Sequence, residues 1–265
     1  MKNKKLLNWL SDRPDISQNH TLLLSNLESM ARIDDDALQN KFLKDLIRNY
    51  VALEKQVDDL LKNTLPSTVA EELKIARRFS PRLYDCTILF TDFVGFTQLA
   101  EKMSREILVD TLHRIFTCFD EQIERFGGTK IKTIGDAYMA AFGAPIKQDD
   151  HAVKGIRAAL SIIQIMRQFN KDAEHPFHLR VGMHSGEVMA GVVGKERMQF
   201  DVFGDDVNIA SRFESSGVKD RINVSETTYL LAKHRFLFEE RGPIKLKNKA
   251  DMAAYFVIGE KQASS

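Results

Sequence analysis

Ile88-Leu89-Phe90-Thr91-Asp92-Phe93-Val94-Gly95-Phe96-Thr97 is an apolar strand that runs into a carboxylate and then into a glycine turn. Forty-odd positions later, Lys130-Ile131-Lys132-Thr133-Ile134-Gly135-Asp136-Ala137-Tyr138-Met139 brings a second strand to a Gly-Asp turn. A strand that ends in Asp puts a carboxylate at the rim of a sheet, within reach of a hard cation. Two such carboxylates can share Mg²⁺ or Mn²⁺, ions that take oxygen ligands and suit phosphate chemistry. Gly95 lets backbone approach a ligand closely, and the amides that follow it can point at a phosphate. A capping Asp in a tight turn is the plainer account of each site taken alone. No G-x-x-x-x-G-K-[ST] loop occurs, so the Walker way of holding a triphosphate is excluded.

Working outward from the first stretch, a helix is expected over about 104–125. Ser104 would be its N-cap, with Leu108, Leu112, Ile115, Phe119 and Ile123 on its buried stripe and Gly127-Gly128 as its stop. A hairpin of about 130–134 and 137–142 turns at Gly135-Asp136. A second long helix covers about 150–169. Strands near 178–183, 187–193 and 199–203 follow, then a helix at 205–214, a strand at 221–224, a helix at 225–233 and closing strands to about 259. Hairpins mixed with helices imply an α+β domain, not a repeated βα sheet.

Upstream of this domain the texture differs. Residues 1 to about 62 hold no glycine and read as helical. Leu43, Leu46, Tyr50, Leu53, Val57 and Leu60 recur at 3-4-3-4-3 spacing, the a/d seam of a coiled coil, although an amphipathic helix packed on its own domain would share the pattern. Residues 63–81 read as a linker helix, with Pro66 in its first turn. The expected division is therefore 1–62 helical, 63–81 linker, 82–260 folded domain and 261–265 a disordered tail.

Composition narrows the function. The 265 residues carry a formal net charge of +1, so a broad basic surface for nucleic acid is not indicated. Cys86 and Cys118 lack metal-ligand spacing and read as reduced core residues of a cytosolic protein. No apolar run reaches the ~18 residues of a membrane span. The basic start, Met1 to Leu10, is too short in its apolar part for a secretory signal.

Further blocks carry chemistry. Lys132 stands among Ile131, Thr133 and Ile134, either as a solvated strand residue or as a donor to a ligand. In Gln199-Phe200-Asp201-Val202-Phe203-Gly204-Asp205-Asp206-Val207-Asn208-Ile209-Ala210-Ser211-Arg212, Asn208 and Arg212 fall at i and i+4 on one helix face. An amide beside a guanidinium can orient a sugar and stabilise a phosphoryl transition state. Ile244-Lys245-Leu246-Lys247-Asn248-Lys249 is either a solvated basic edge or a clamp for a polyphosphate tail.

The joint order and spacing of these blocks resembles the class III nucleotide cyclases, the family of adenylyl and guanylyl cyclases. Besides the stretches around Asp92, Asp136 and Asn208, the matching segments are Leu179-Arg180-Val181-Gly182-Met183-His184-Ser185-Gly186 and Ala254-Tyr255-Phe256-Val257, so the resemblance covers about 82–260. It implies a ferredoxin-like βαββαβ core with an extra hairpin and C-terminal strands. It also implies two Mg²⁺ or Mn²⁺ ions per site on Asp92 and Asp136, with the loop of Phe93, Gly95 and Phe96 on the phosphates. Lys132 and Asp201 would read the purine. In the family a Lys/Asp pair goes with adenine, whereas guanylyl cyclases carry Glu and Cys at those places. Asn208 would orient the ribose, Arg212 would stabilise the transition state, and Lys247, with Lys249 as neighbour, would hold the triphosphate tail. The implied activity is conversion of ATP to 3′,5′-cyclic AMP and pyrophosphate, at sites shared across a homodimer. A guanylate cyclase and a silent nucleotide-binding domain are the alternatives. A cytoplasmic location follows from the same reading, either as a free protein or as the soluble part of a longer sensor or membrane protein.

Overall fold

The computed structural model describes residues 36–245 and 251–262. The chain divides into two units, Met1–Thr64 and Leu65–Ser265. In the first, α1 (Asp36–Lys62) is a single helix. Leu43, Tyr50, Leu53, Val57 and Leu60 stand exposed on it in the isolated chain. No described helix is long and apolar enough to cross a membrane.

The second unit begins with α2 (Ser67–Ala76). Pro66 sits at its N-cap with an extended ψ of 139°, one position before the first helical turn expected for it. Glu72 holds Arg82 at 2.5 Å and 2.6 Å and so ties α2 to the strand that follows.

Among the described residues the remaining α-helices and strands are β1 (Arg82–Phe93), α3 (Phe96–Ala100), α4 (Arg105–Arg125), β2 (Thr129–Ile134), β3 (Ala137–Phe142), α5 (His151–Phe169), β4 (Leu179–Val193), β5 (Gln199–Phe203), α6 (Asp205–Ser215), β6 (Ile222–Ser225), α7 (Glu226–Ala232), β7 (Phe236–Ile244) and β8 (Met252–Glu260). The strands form one sheet in the order β2-β3-β1-β4-β6-β8-β7, with β5 paired to β4 off that path. In the order β2-β3-β1-β4 each neighbouring pair is antiparallel, the arrangement of a βαββαβ core, and β6 joins β4 in parallel.

Strand alternation decides what each face does. Leu89 and Phe93 of β1, with Leu179, Val181 and Met183 of β4, point into the main core. Ile115, Phe119 and Ile123 of α4 and Ile156, Ile162, Ile163 and Met166 of α5 cover them. The intervening positions, Ile88, Phe90 and Asp92 on β1 and Arg180, Gly182 and His184 on β4, belong to the other face. There α6 lies directly on β4. A Cβ on Gly182 would fall 1.9 Å from the Glu214 backbone nitrogen, and one on Gly186 would fall 2.4 Å from the Asp206 carboxyl carbon. Only glycine permits that approach, which explains the spacing of the two glycines in Leu179–Gly186.

Several sequence expectations need correction. The two strands expected at 178–183 and 187–193 are one continuous strand, β4. His184-Ser185-Gly186 looks like a break, but its polar groups are satisfied sideways. His184 Nδ1 pairs with Ser225 Oγ at 2.7 Å, and Ser185 Oγ meets Thr87 Oγ1 at 2.7 Å and Thr228 Oγ1 at 2.9 Å. β1 also runs longer than the expected 86–91, because β4 pairs with it from Arg82 to Phe93. Cys86 is buried as expected, while Cys118 is only half-buried. Ser104 caps α4 by accepting the Ile107 amide at 3.3 Å, as the sequence predicts. Of the expected stripe, Ile115, Phe119 and Ile123 are buried, and Leu108 and Leu112 pack partly exposed against the core. The expected tail at 261–265 lies outside the described residues from 263 onward.

Candidate active site

Asp92 is the penultimate residue of β1, and Asp136 sits in the β2–β3 turn next to Gly135, whose φ of +64° is the left-handed conformation that glycine adopts freely. The sheet order sets β3 between β2 and β1, so the turn comes up beside the end of β1. The Asp92 carboxyl is close enough to act on that of Asp136. Burial pushes the Asp136 carboxyl above its ordinary range, and the neighbouring Asp92 carboxylate pushes it further. Two hard oxygen donors side by side, with the Asp92 carboxylate raising the cost of ionising Asp136, fit a divalent cation.

Arg180 faces Asp92 across the β1–β4 ladder, where their Cα atoms are direct partners. Its Nη2 donates to Asp92 Oδ2, and its Nε donates to Glu214 Oε1 at 3.0 Å. Burial works against the guanidinium charge, but the bond to Asp92 and the Glu214 carboxylate outweigh it, and its pKa rises. Glu214, on the buried side of α6, is pushed up to about 7 by burial first and then by the Asp92 carboxylate. Sequence reasoning missed both residues. The available signal was a charged residue at an alternating position of each of two apolar strands, Asp92 in one and Arg180 in the other.

Lys132 and Asp201 form a second set. β2 and β5 are not ladder neighbours, yet Lys132 Nζ reaches Asp201 Oδ2 at 2.5 Å. Asp201 Oδ1 accepts the Val202 amide at 2.9 Å, which fixes the carboxylate plane. The Lys132 side chain is 31% exposed and that of Asp201 9% exposed, so the pair opens to solvent on the lysine side.

Asn208 and Arg212 form the third set, one turn apart on α6, both exposed. Ile209, Ala210 and Phe213 on the other side of α6 are buried. The start of the helix is anchored from below by Asp206, whose Oδ1 lies 2.8 Å from His184 Nε2. Among the described residues, no hydrogen bond or ion pair links one of these three sets to another.

The remaining expected site residues fare differently. The Phe93 ring is buried against Phe96, Phe116 and Phe177, so its side chain is core and only its backbone is available to a ligand. Gly95 caps α3 at a φ of +70°, and Phe96 opens that helix, whose first amides lack intrahelical acceptors. The Val94 amide is already used, donating to the His178 carbonyl at 2.8 Å. Lys247 and Lys249 lie outside the described residues.

Comparison with known proteins places this geometry. The profile of the adenylate and guanylate cyclase catalytic domain matches residues 80–259, and the chain belongs to that family. It therefore carries a nucleotide cyclase catalytic domain. A receptor-type guanylate cyclase of Caenorhabditis elegans is 38% identical over 219 residues, 81% of this chain and 17% of the relative. An adenylate cyclase of Mycobacterium tuberculosis is 37% identical over 227 residues, 84% of this chain and 51% of the relative. The chain thus spans about half or less of the length of these curated relatives. Among solved structures, the guanylate cyclase domain of RhGC from Catenaria anguillulae in complex with GTP matches with a TM-score of 0.65 at 33% identity, covering 68% of this chain and 100% of that one. The adenylyl cyclase CyaB from P. aeruginosa matches with a TM-score of 0.66 at 28% identity, covering 71% of this chain and 100% of that one.

Proposed function

We propose that this chain is an adenylate cyclase that converts ATP to 3′,5′-cyclic AMP and pyrophosphate. The observation that carries the choice of purine is the Lys132–Asp201 pair. A lysine donates to adenine N1, and an aspartate accepts from the exocyclic amine. Guanine offers a donor at N1 and an acceptor at O6, so each partner would meet its own kind. An unmatched buried polar group costs roughly 1–3 kcal/mol, enough to discriminate the two bases. The rival reading, a guanylate cyclase, has the 38% identical receptor-type relative in its favour and this pair against it.

The oxygen donors of Asp92 and Asp136 would hold divalent ions, Mg²⁺ or Mn²⁺, two per site. When bound, such ions neutralise phosphate charge and make a ribose hydroxyl more acidic. In the reaction the ribose 3′-oxygen forms a bond to the α-phosphorus, the bond from that phosphorus to the bridging oxygen breaks, and pyrophosphate leaves. The hydroxyl proton passes to solvent or substrate. Asn208 orients the ribose, and Arg212 donates to the α-phosphoryl oxygens as charge builds there. The free amides at the start of α3, after Gly95, meet the phosphates, and Lys247 holds the departing end.

Asn208 and Arg212 serve an opposing chain. Arg212 precedes Glu214 by two residues, about 200° around a helix. Since Glu214 faces its own Asp92 through Arg180, Arg212 points away from that carboxylate pair. A symmetric homodimer supplies the complement, with each site taking its carboxylates from one chain and its amide and guanidinium from the other. The exposed seam of α1 would help this pairing as a coiled coil.

The test is to offer the full chain ATP and GTP separately with Mn²⁺ and to identify the cyclic product. Cyclic AMP from ATP, with the preference moving toward GTP in Lys132→Glu/Asp201→Cys, is the expected result. A wild-type preference for GTP would overturn the adenine reading.

A further inference from the structure

The geometry points to Arg180 as a built-in counter-ion of the Asp92–Asp136 pair, held in place by Glu214, which a divalent ion must displace from Asp92 in order to bind. This rests on the reading of Asp92 and Asp136 as metal ligands. Asp92 and Glu214 both bond Arg180, and burial, followed by the Asp92 carboxylate, raises the carboxyls of Asp136 and Glu214. One cation answers them. Its Nη2 takes an oxygen of Asp92 that a metal would need, and its Nε is fixed by Glu214, whose side chain is 10% exposed. Glu214 can stand there because Gly182 lets α6 touch β4.

The consequence is a competition. A divalent ion entering beside Asp92 meets a guanidinium already on the ligand oxygen. It must take the oxygen and stand near a like charge. Glu214 gives the displaced Arg180 a second anchor, so the guanidinium moves aside without becoming a buried unpaired charge. Arg180 is thus a positioning residue. It keeps the carboxylate pair compensated before an ion binds, and it sets a threshold that favours ions arriving with a polyphosphate, whose negative charge offsets the repulsion.

The experiment is a Mn²⁺ titration of the full chain without nucleotide, read by loss of the free Mn²⁺ electron paramagnetic resonance signal. Thermal midpoints are measured in parallel, in chelator and in Mn²⁺. Arg180→Gln is expected to bind Mn²⁺ about tenfold tighter than wild type, because a nearby like charge at an intermediate effective dielectric is worth at least that. Its midpoint should fall in chelator and recover with Mn²⁺. Arg180→Lys keeps the charge but cannot bridge two carboxylates with one planar head, and it should bind about threefold tighter. A folded Arg180→Gln that binds Mn²⁺ no tighter than wild type overturns the proposal. Should that variant not fold, Arg180→Lys decides by the same criterion. Asp92→Asn separates the two claims. Loss of Mn²⁺ binding in it upholds the metal site whatever Arg180 does, and wild-type binding in it ends both.

Discussion

Glu214 gives the structure its sharpest consequence for stability. Its carboxyl moves from an ordinary value of 4.5 to about 7 in the folded chain, chiefly through burial and then through the Asp92 carboxylate. Below pH 4.5 the folded and unfolded chains both hold the proton, and above about 7 neither does. Between those limits the folded chain holds a proton that the unfolded chain has released. Stability from this group is therefore complete at low pH and declines as pH rises through the window, by about 1.4 kcal/mol per unit and about 3 kcal/mol in all. For a unit of this size that corresponds to a fall of roughly 6–12 °C in the thermal midpoint. Glu214→Gln removes the titration while keeping an acceptor for Arg180 Nε. Both proteins are unfolded by urea in chelator at a series of pH values from 4.5 to 8, and the difference between their unfolding free energies is plotted. Asp136, raised by burial, acts with the same sign, and His151, lowered by burial, acts with the opposite one. Both are present in each protein, so the difference reads chiefly the Glu214 titration and the part of Asp136 coupled to it. Wild type is expected to lose about 3 kcal/mol relative to the variant across the window. Parallel curves would refute the account of a buried carboxyl pressed against Asp92.

Gly182→Ala should destabilise the domain by roughly 1–3 kcal/mol, because the new methyl strikes the backbone of α6; urea unfolding reads the loss, and cyclase activity should fall further than stability does as α6 is displaced. Lys132→Ala leaves Asp201 without its ion-pair partner and should raise the KM for ATP more than it lowers kcat, since the purine is bound alike in ground and transition states. Removal of residues 1–62 should weaken self-association and with it activity at low protein concentration; equal activity with and without the segment, at concentrations where both forms are dimeric, would deny it a regulatory role.

Much of the candidate site's geometry could be read from the sequence because its residues fall in local patterns. A carboxylate closing an apolar strand, a Gly-Asp hairpin tip and an i, i+4 pair on a short helix are local patterns, and local geometry is what a sequence encodes most directly. The α4 boundaries, the hairpin and the exposed side of α6 follow in the same way. The parts that were not legible depend on partners distant in the chain. His184-Ser185-Gly186 continues a strand because hydroxyls from β1, β6 and α7 meet it. Phe93 turns inward because Phe96, Phe116 and Phe177 arrive from elsewhere. Arg180 meets Asp92 through a ladder register between residues 88 positions apart, and Glu214 joins them only because α6 folds back onto Gly182. Nothing within a short window of sequence announces such meetings.

The central claim is that catalysis needs Asp92 of one chain and Arg212 of the other. Asp92→Ala and Arg212→Ala chains are purified separately, shown to be folded and inactive, mixed under conditions of demonstrated subunit exchange, and assayed for cyclic AMP from ATP. The account predicts that the mixture regains activity, because a mixed dimer restores one complete site. A mixture that exchanges subunits and stays inactive would contradict it.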